Sequence, residues 1–298
     1  MPDWRSIPKI DAHIHLLPPD VIAANQGYGD RFVDFGSAED YLALMDQYHI
    51  ETAFVMPFND PCMLSMDFQV ASVHNNLLEM CRRSGKRLYC FADIDLKDPI
   101  EATLAQLERA MENEEFLGVK LHASNAGYPL DGAYYDRVFA WANANDVLLE
   151  LHSYPREHLP DDVCSPSRIK NVLKKYPQLR LSVAHLGGFQ YAELLGLDLY
   201  VNLSAILTDL ADRYGIEKTN EILRALDVKR LVFATDHPDN RRRKPDEIYE
   251  AYFDILDQMD FTPEEAADIC KFNALRMCRR KGGAEPRPKD ANSSPRKG

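Results

Sequence analysis

Short apolar runs alternate with amphipathic stretches along most of the chain. Eight of the runs read as strands, at residues 9–15, 52–57, 87–94, 118–122, 147–152, 180–185, 199–204 and 230–236. The segments between them carry helix punctuation. Asp98-Pro99-Ile100-Glu101 places an N-cap, a first-turn proline and an N3 glutamate ahead of an apolar-periodic stretch. Ser165-Pro166 opens a helix that stops at Tyr176-Pro177, and Tyr41, Leu42, Leu44, Met45 and Tyr48 form a helical apolar face after Ser37. Two more helices follow the eighth run. One covers 245–259; the other opens at the capped Thr262-Pro263-Glu264-Glu265, runs to about residue 280 and is ended by Gly282-Gly283.

Eight strand–helix units predict an α/β fold, a (β/α)8 TIM barrel with an appended C-terminal helix. An open doubly wound sheet is the alternative, but no Gly-x-Gly-x-x-Gly follows any strand to support it. Residues 1–283 are expected to form the barrel. Residues 284–298, rich in Pro, Ser, Lys and Arg with no large apolar residue, read as a disordered tail.

Composition narrows the function. A length of 298 residues suits such a barrel, and 45% hydrophobic residues suffice for its core. A net charge of −12 argues against nonspecific nucleic-acid binding, which wants a basic face. No segment approaches the ~18 apolar residues of a membrane span. The six cysteines make no Cys-x-x-Cys pair, so they read as free thiols of a reducing compartment. The N-terminus enters the first strand with no signal-like apolar core. The expectation is a cytoplasmic protein whose partner is a small-molecule substrate, with self-association into a homo-oligomer left open.

The candidate chemistry begins at residues 11–15, Asp-Ala-His-Ile-His. Strand side chains alternate faces, so His13 and His15 point the same way and make half of a metal site. On strict alternation Asp11 shares that face, where it either orients an imidazole from behind or is a buried structural aspartate. His122, His152, His185 and Asp236 each close another apolar run. In a closed parallel barrel all strand C-termini open onto one face, so these residues converge on one pocket. Imidazole and carboxylate together suit zinc and similar ions. Any one such histidine alone is more simply a packed core or turn residue; five at strand ends with a terminal aspartate are not.

The ordered set His13-x-His15, Gly118-Val119-Lys120-Leu121-His122, Leu149-Glu150-Leu151-His152, Ala184-His185-Leu186-Gly187-Gly188 and Ala234-Thr235-Asp236 resembles the amidohydrolase superfamily. More narrowly it is similar to the amidohydrolase-related branch that includes the aminocarboxymuconate-semialdehyde decarboxylase-like enzymes. Asn273-Ala274-Leu275-Arg276 is similar to that branch's final-helix ending. The resemblance covers about residues 8–280. It implies a metal-dependent barrel in which His13, His15, His152 and Asp236 bind a single divalent metal, zinc first, with manganese or another divalent ion in its place. His185 would stand over the substrate. Zinc lowers the pKa of its water to about 7, so the implied reaction is hydrolysis of an amide, ester or lactone by a metal-activated water. Asp236 would shuttle its proton and His185 would polarise the carbonyl.

The branch also contains decarboxylases, so a nonhydrolytic lyase acting on an unsaturated carboxylate is the runner-up; a noncatalytic barrel used as a binding module is the third reading. The compact length favours hydrolysis, because decarboxylases of the branch often carry longer insertions. In binuclear relatives a lysine on the fourth strand carries a bridging carbamate. Lys120 would do so here with His185 as a ligand, or else bind a substrate carboxylate. His122 either lines the pocket or is structural. Arg241, in the run Arg241-Arg242-Arg243-Lys244 after the eighth strand, either attracts an anionic substrate or belongs to a solvated surface. His237 should face away from the pocket, and His74 should be packed or solvated.

Overall fold

The computed structural model describes residues 2–27, 29–58, 66–238 and 243–279. Eight parallel strands follow one another in sequence order around a single sheet. They are β1 (Lys9–His15), β2 (Ile50–Met56), β3 (Leu88–Ala92), β4 (Phe116–Leu121), β5 (Leu148–Leu151), β6 (Leu181–Val183), β7 (Tyr200–Asn202) and β8 (Leu231–Val232). Backbone bonds close the ring between β8 and β1: Ala12 N–H to Phe233 O at 3.0 Å, Asp236 N–H to His13 O at 2.9 Å, and a parallel bridge from Ile14 to His237. The fold is the expected (β/α)8 barrel with helical segments at its C-terminus.

Two apolar layers hold it. Ile10, Ala12, Phe54, Met56, Phe91, Leu148, Val232 and Ala234 fill the barrel beneath the strand C-termini, with Ala274 and Met277 as the floor. The outward-facing residues, such as Ile14, Val55, Val119, Leu149 and Val201, pack under the surrounding helices. Gly118 is required by close approach: a Cβ there would lie 2.2 Å from the carbonyl oxygen of Leu148 on the next strand.

The helices after Ser37 and Ser165 form as expected, over Ala38–Gln47 and Pro166–Lys175. The Thr262 capping box is made, with Glu265 N–H on Thr262 Oγ1 and Thr262 N–H on Glu265 Oε2. The helix it opens is less regular than its periodicity suggests, because a wide turn at Asp268–Phe272 separates Pro263–Ala267 from Asn273–Cys278. Asp98 does not cap. That helix covers Ile100–Met111 with Pro99 at its N-cap, and the Asp98 carboxylate instead accepts from Gln106. Residues 284–298 and Arg241 lie outside the described residues. The cysteines among the described residues are free thiols, and no helix there is long and apolar enough to cross a membrane.

Candidate metal and active site

The C-terminal end of β1 is where regular alternation fails. Asp11 pairs with Ala53 of β2 but Ile14 pairs with Val55, so β1 spends one more residue than its neighbour between them. This β-bulge switches the parity of the side chains. Ala12 stays with the interior layer, and His13 and His15 meet the interior groups described next. Asp11 points outward, against Tyr41 and Tyr249 of the surrounding helices. The expectation that Asp11 orients an imidazole is therefore corrected: it touches the backbone N–H of His13 and not a ring.

His13 Nε2 lies 3.4 Å from Asp236 Oδ1, and His15 Nε2 lies 3.6 Å from the same oxygen. The three residues present one ligand atom each within 4.8 Å of one another. His152 is not one of this trio. Its ring stacks on His122 at 3.8 Å between centroids, and its Nδ1 is 3.1 Å from His185 Nε2. His185 in turn lies 5.5 Å from the ring of His13, so the fourth expected ligand borders the same pocket.

Hydrogen bonding sets which nitrogens carry lone pairs. The Nδ1 of His13 faces Glu150 Oε1 at 3.0 Å; a carboxylate accepts, so Nδ1 holds the proton and Nε2 keeps its lone pair toward Asp236. His185 Nδ1 lies 2.9 Å from both the carbonyl oxygen and the hydroxyl of Ser204. The carbonyl can only accept, so His185 is protonated at Nδ1, and its Nε2 faces His152 Nδ1. Asn202 joins the two halves: its Nδ2 donates to Glu150 Oε1 at 2.6 Å, and its Oδ1 accepts from Ser204 Oγ at 2.6 Å. A donor set of imidazoles and one carboxylate, with the His13 tautomer fixed from behind by Glu150, fits a divalent ion of borderline softness.

Glu150 is the member of the site that pattern reading passed over. The signal was present: an acidic residue inside the apolar run Leu148–Leu151, two positions before His152 and therefore on its face.

Burial dominates the electrostatics. It holds the imidazoliums of His13, His122 and His152 well below the ordinary value, with Lys120 adding repulsion at each, so all three are neutral at pH 7. Burial also pushes Asp236 up, but the contact with His15 and the fields of His185, His15 and Lys120 outweigh it and hold the carboxyl below its usual range. Lys120 is fully enclosed, with Nζ 3.5 Å from His13 Nε2; burial depresses it to about 8 against the pull of Glu150 and Asp236. His122 uses Nδ1 to accept from Asn125 N–H at the start of a short helix.

Two of the pocket side chains sit on backbone that most residues avoid. His185 has φ 61° and Asp236 has φ 65°. Each is in the left-handed region just beyond a short strand, where the chain turns sharply at the barrel rim. At His185 the turn continues through Leu186, Gly187 and Gly188, all with positive φ. His237 lies outside the pocket, with Nε2 2.9 Å from Phe35 O, and His74 packs in its helix and accepts from Asp93 N–H.

The Amidohydrolase family model matches residues 10–280, and the chain belongs to this family of enzymes within the amidohydrolase superfamily. No curated protein matches it in sequence. Among solved structures it is similar to 5-carboxyvanillate decarboxylase from Novosphingobium aromaticivorans, complexed with manganese and 4-hydroxy-3-methoxy-5-nitrobenzoic acid. Identity is 14% over 92% of this chain and 96% of that chain, with a TM-score of 0.70. It is also similar to 2,6-dihydroxybenzoate decarboxylase from Rhizobium, at 16% identity over 91% and 98% with a TM-score of 0.66. A third is a probable 2-pyrone-4,6-dicarboxylic acid hydrolase from Acinetobacter baumannii with citric acid bound, at 14% over 91% and 98% with a TM-score of 0.64. At these identities the likeness is one of fold. The coverages also remove the argument from length, since decarboxylases and hydrolase alike are spanned almost end to end.

Proposed function

We propose that the chain is a metal-dependent hydrolase that opens an amide, ester or lactone bond of a small substrate. In this reading His13, His15, His152 and Asp236 hold the metal, and Asp236 and His185 are the catalytic pair. The observation that carries it is the protonation state of the site. Asp236 is a buried carboxylate held in its charged form beside His13 and His15. Hydrolysis begins by taking a proton from water, which suits a site at rest with bases. A bound divalent ion, zinc or manganese, supplies Lewis acidity that polarises the scissile carbonyl and lowers the pKa of water. Asp236 takes the proton of the attacking water and returns it to the leaving group. His185 turns from His152 to the scissile carbonyl and, protonated at Nε2, donates to the developing oxyanion while its Nδ1 stays on Ser204. Lys120, beside His13 and half-protonated near pH 8, attracts a substrate carboxylate, and His122 lines the same wall.

The second reading is a lyase. It is favoured by the two decarboxylases among the similar structures, one of which holds manganese. A panel of lactones, amides and unsaturated or aromatic carboxylates, assayed in ¹⁸O-water, separates the two. Hydrolysis places one solvent oxygen in the product and releases no carbon dioxide. Carbon dioxide release, with solvent hydrogen at the vacated carbon, replaces the first reading by the second. No turnover across the panel with tight binding of one member would favour a noncatalytic barrel.

A further inference from the structure

The seam between β8 and β1 carries both parts of the ligand trio, His13 and His15 on one side and Asp236 on the other. It also joins the shortest of the eight strands, so most of its bonds are made beyond regular strand. β8 has two residues, and beyond them the chain leaves regular strand geometry. Behind the contacts of His13 and His15 with Asp236, the side chain of Asp11 also crosses this joint. The Asp11 carboxylate, wholly buried, accepts from Thr235 N–H at 3.0 Å and Thr235 Oγ1 at 2.6 Å, both on the β8 side. It also accepts from Tyr249 Oη at 2.7 Å and Tyr41 Oη at 3.2 Å, and approaches its own strand at His13 N–H at 3.5 Å. The two phenols are 3.0 Å apart and come from the helices Pro245–Leu256 and Ala38–Gln47.

We infer that Asp11 is a positioning residue that bolts Thr235 to β1 and so sets the spacing between the histidines and Asp236. The geometry works through neighbours. Thr235 immediately precedes Asp236, whose left-handed backbone needs its flanks held. His13 lies within the bulge that turns Asp11 outward. Charge-assisted bonds from four elements to one carboxylate over-determine that point. Removing the charge leaves the apolar barrel intact but frees the seam to spread, and the two sides of the site with it. The inference rests on the metal reading above for its consequence and on the seam itself for its cause.

Asp11→Asn keeps the shape and loses the charge. Its test has two arms, with Leu107→Ala, a core truncation under another part of the barrel, as the control for general destabilisation. In the first arm, hydrogen exchange of metal-free protein compares the amides of Ala12 and Asp236, which bond across the seam, with that of Leu149, which bonds to Arg180 O. Asp11→Asn should speed the two seam amides about tenfold more than Leu149, while Leu107→Ala should speed all three alike. In the second arm, competition with a chromogenic zinc chelator should show about tenfold or greater weakening in Asp11→Asn and under about twofold in Leu107→Ala. Uniform exchange across the three amides, or unchanged zinc affinity with a loosened seam, overturns the inference. Tyr249→Phe, which removes one of the bonds, should give a smaller change of the same pattern. If wild type and His13→Ala bind zinc equally, the metal reading has failed, and the exchange arm alone decides whether Asp11 holds the seam.

Discussion

Replacing Glu150 with glutamine probes how far the pocket depends on what stands behind its ligands. Glu150 is enclosed, accepts from His13 Nδ1 at 3.0 Å and from Asn202 Nδ2 at 2.6 Å, and exerts the strongest charge pull on Lys120. Glutamine has the same size and one acceptor oxygen, so the packing survives. Three things change. His13 loses the negative partner that makes its Nε2 a better donor, which typically costs 10–100-fold in metal affinity, or about 1.4–2.7 kcal/mol. The new amide NH₂ faces Asn202 or His13, both of which already donate, and a stranded buried donor costs about 1–3 kcal/mol of fold stability. Lys120 loses a counter-charge and should release its proton more readily. The assay is chelator competition at fixed pH, paired with urea unfolding of the metal-free protein. Glu150→Gln should bind zinc about 10–100-fold more weakly and unfold at lower urea. An affinity within about twofold of wild type would refute the reasoning, because it would mean that Glu150 is a fold residue and that His13 needs no partner.

Other consequences follow from the same geometry. His185→Ala should lose about 10²–10⁴ in turnover on any substrate found, while losing less than about tenfold in metal affinity through its hold on His152; proportional loss of both would make His185 a ligand. Acid should destabilise the metal-free protein early. Burial holds His74 down to about 4 and His237 to about 3, whereas an unfolded histidine protonates near 6.5. The stability they contribute is complete above pH 6.5 and is lost as pH falls toward 4 and 3, at about 1.4 kcal/mol per pH unit for each. Urea midpoints at pH 7, 6 and 5 should therefore fall steadily, and His74→Gln should flatten the fall; a flat wild-type profile would contradict it.

The barrel was legible because its eight apolar runs and their punctuation carry the pattern of a closed parallel sheet, and pattern survives without knowledge of contacts. The rim was legible for the same reason: His13, His152, His185 and Asp236 end runs, and run ends converge. What could not be read was anything that breaks alternation. Nothing in Asp-Ala-His-Ile-His announces the bulge that sends Asp11 outward while His13 and His15 stay inside. The left-handed turn at His185 is hinted at only by the glycines two and three residues on, and it brings that ring onto His152. Glu150 was visible as a misfit in an apolar strand, but its partner depended on a rotamer that only packing decides. Asp98 shows the reverse error, a good local cap signal overruled when the helix begins one residue later.

The central claim is that His13, His15 and Asp236 together hold a divalent ion. Elemental analysis of protein purified without added metal tests it most directly, run on wild type and on a His13→Ala, His15→Ala double variant. The account predicts about one divalent ion per chain in wild type and close to none in the variant. About two ions per chain, with a carbamate on Lys120, would replace the single-ion site by a binuclear one. Near-zero metal in wild type that also fails to take up added zinc or manganese, or full occupancy in the double variant, would contradict the account.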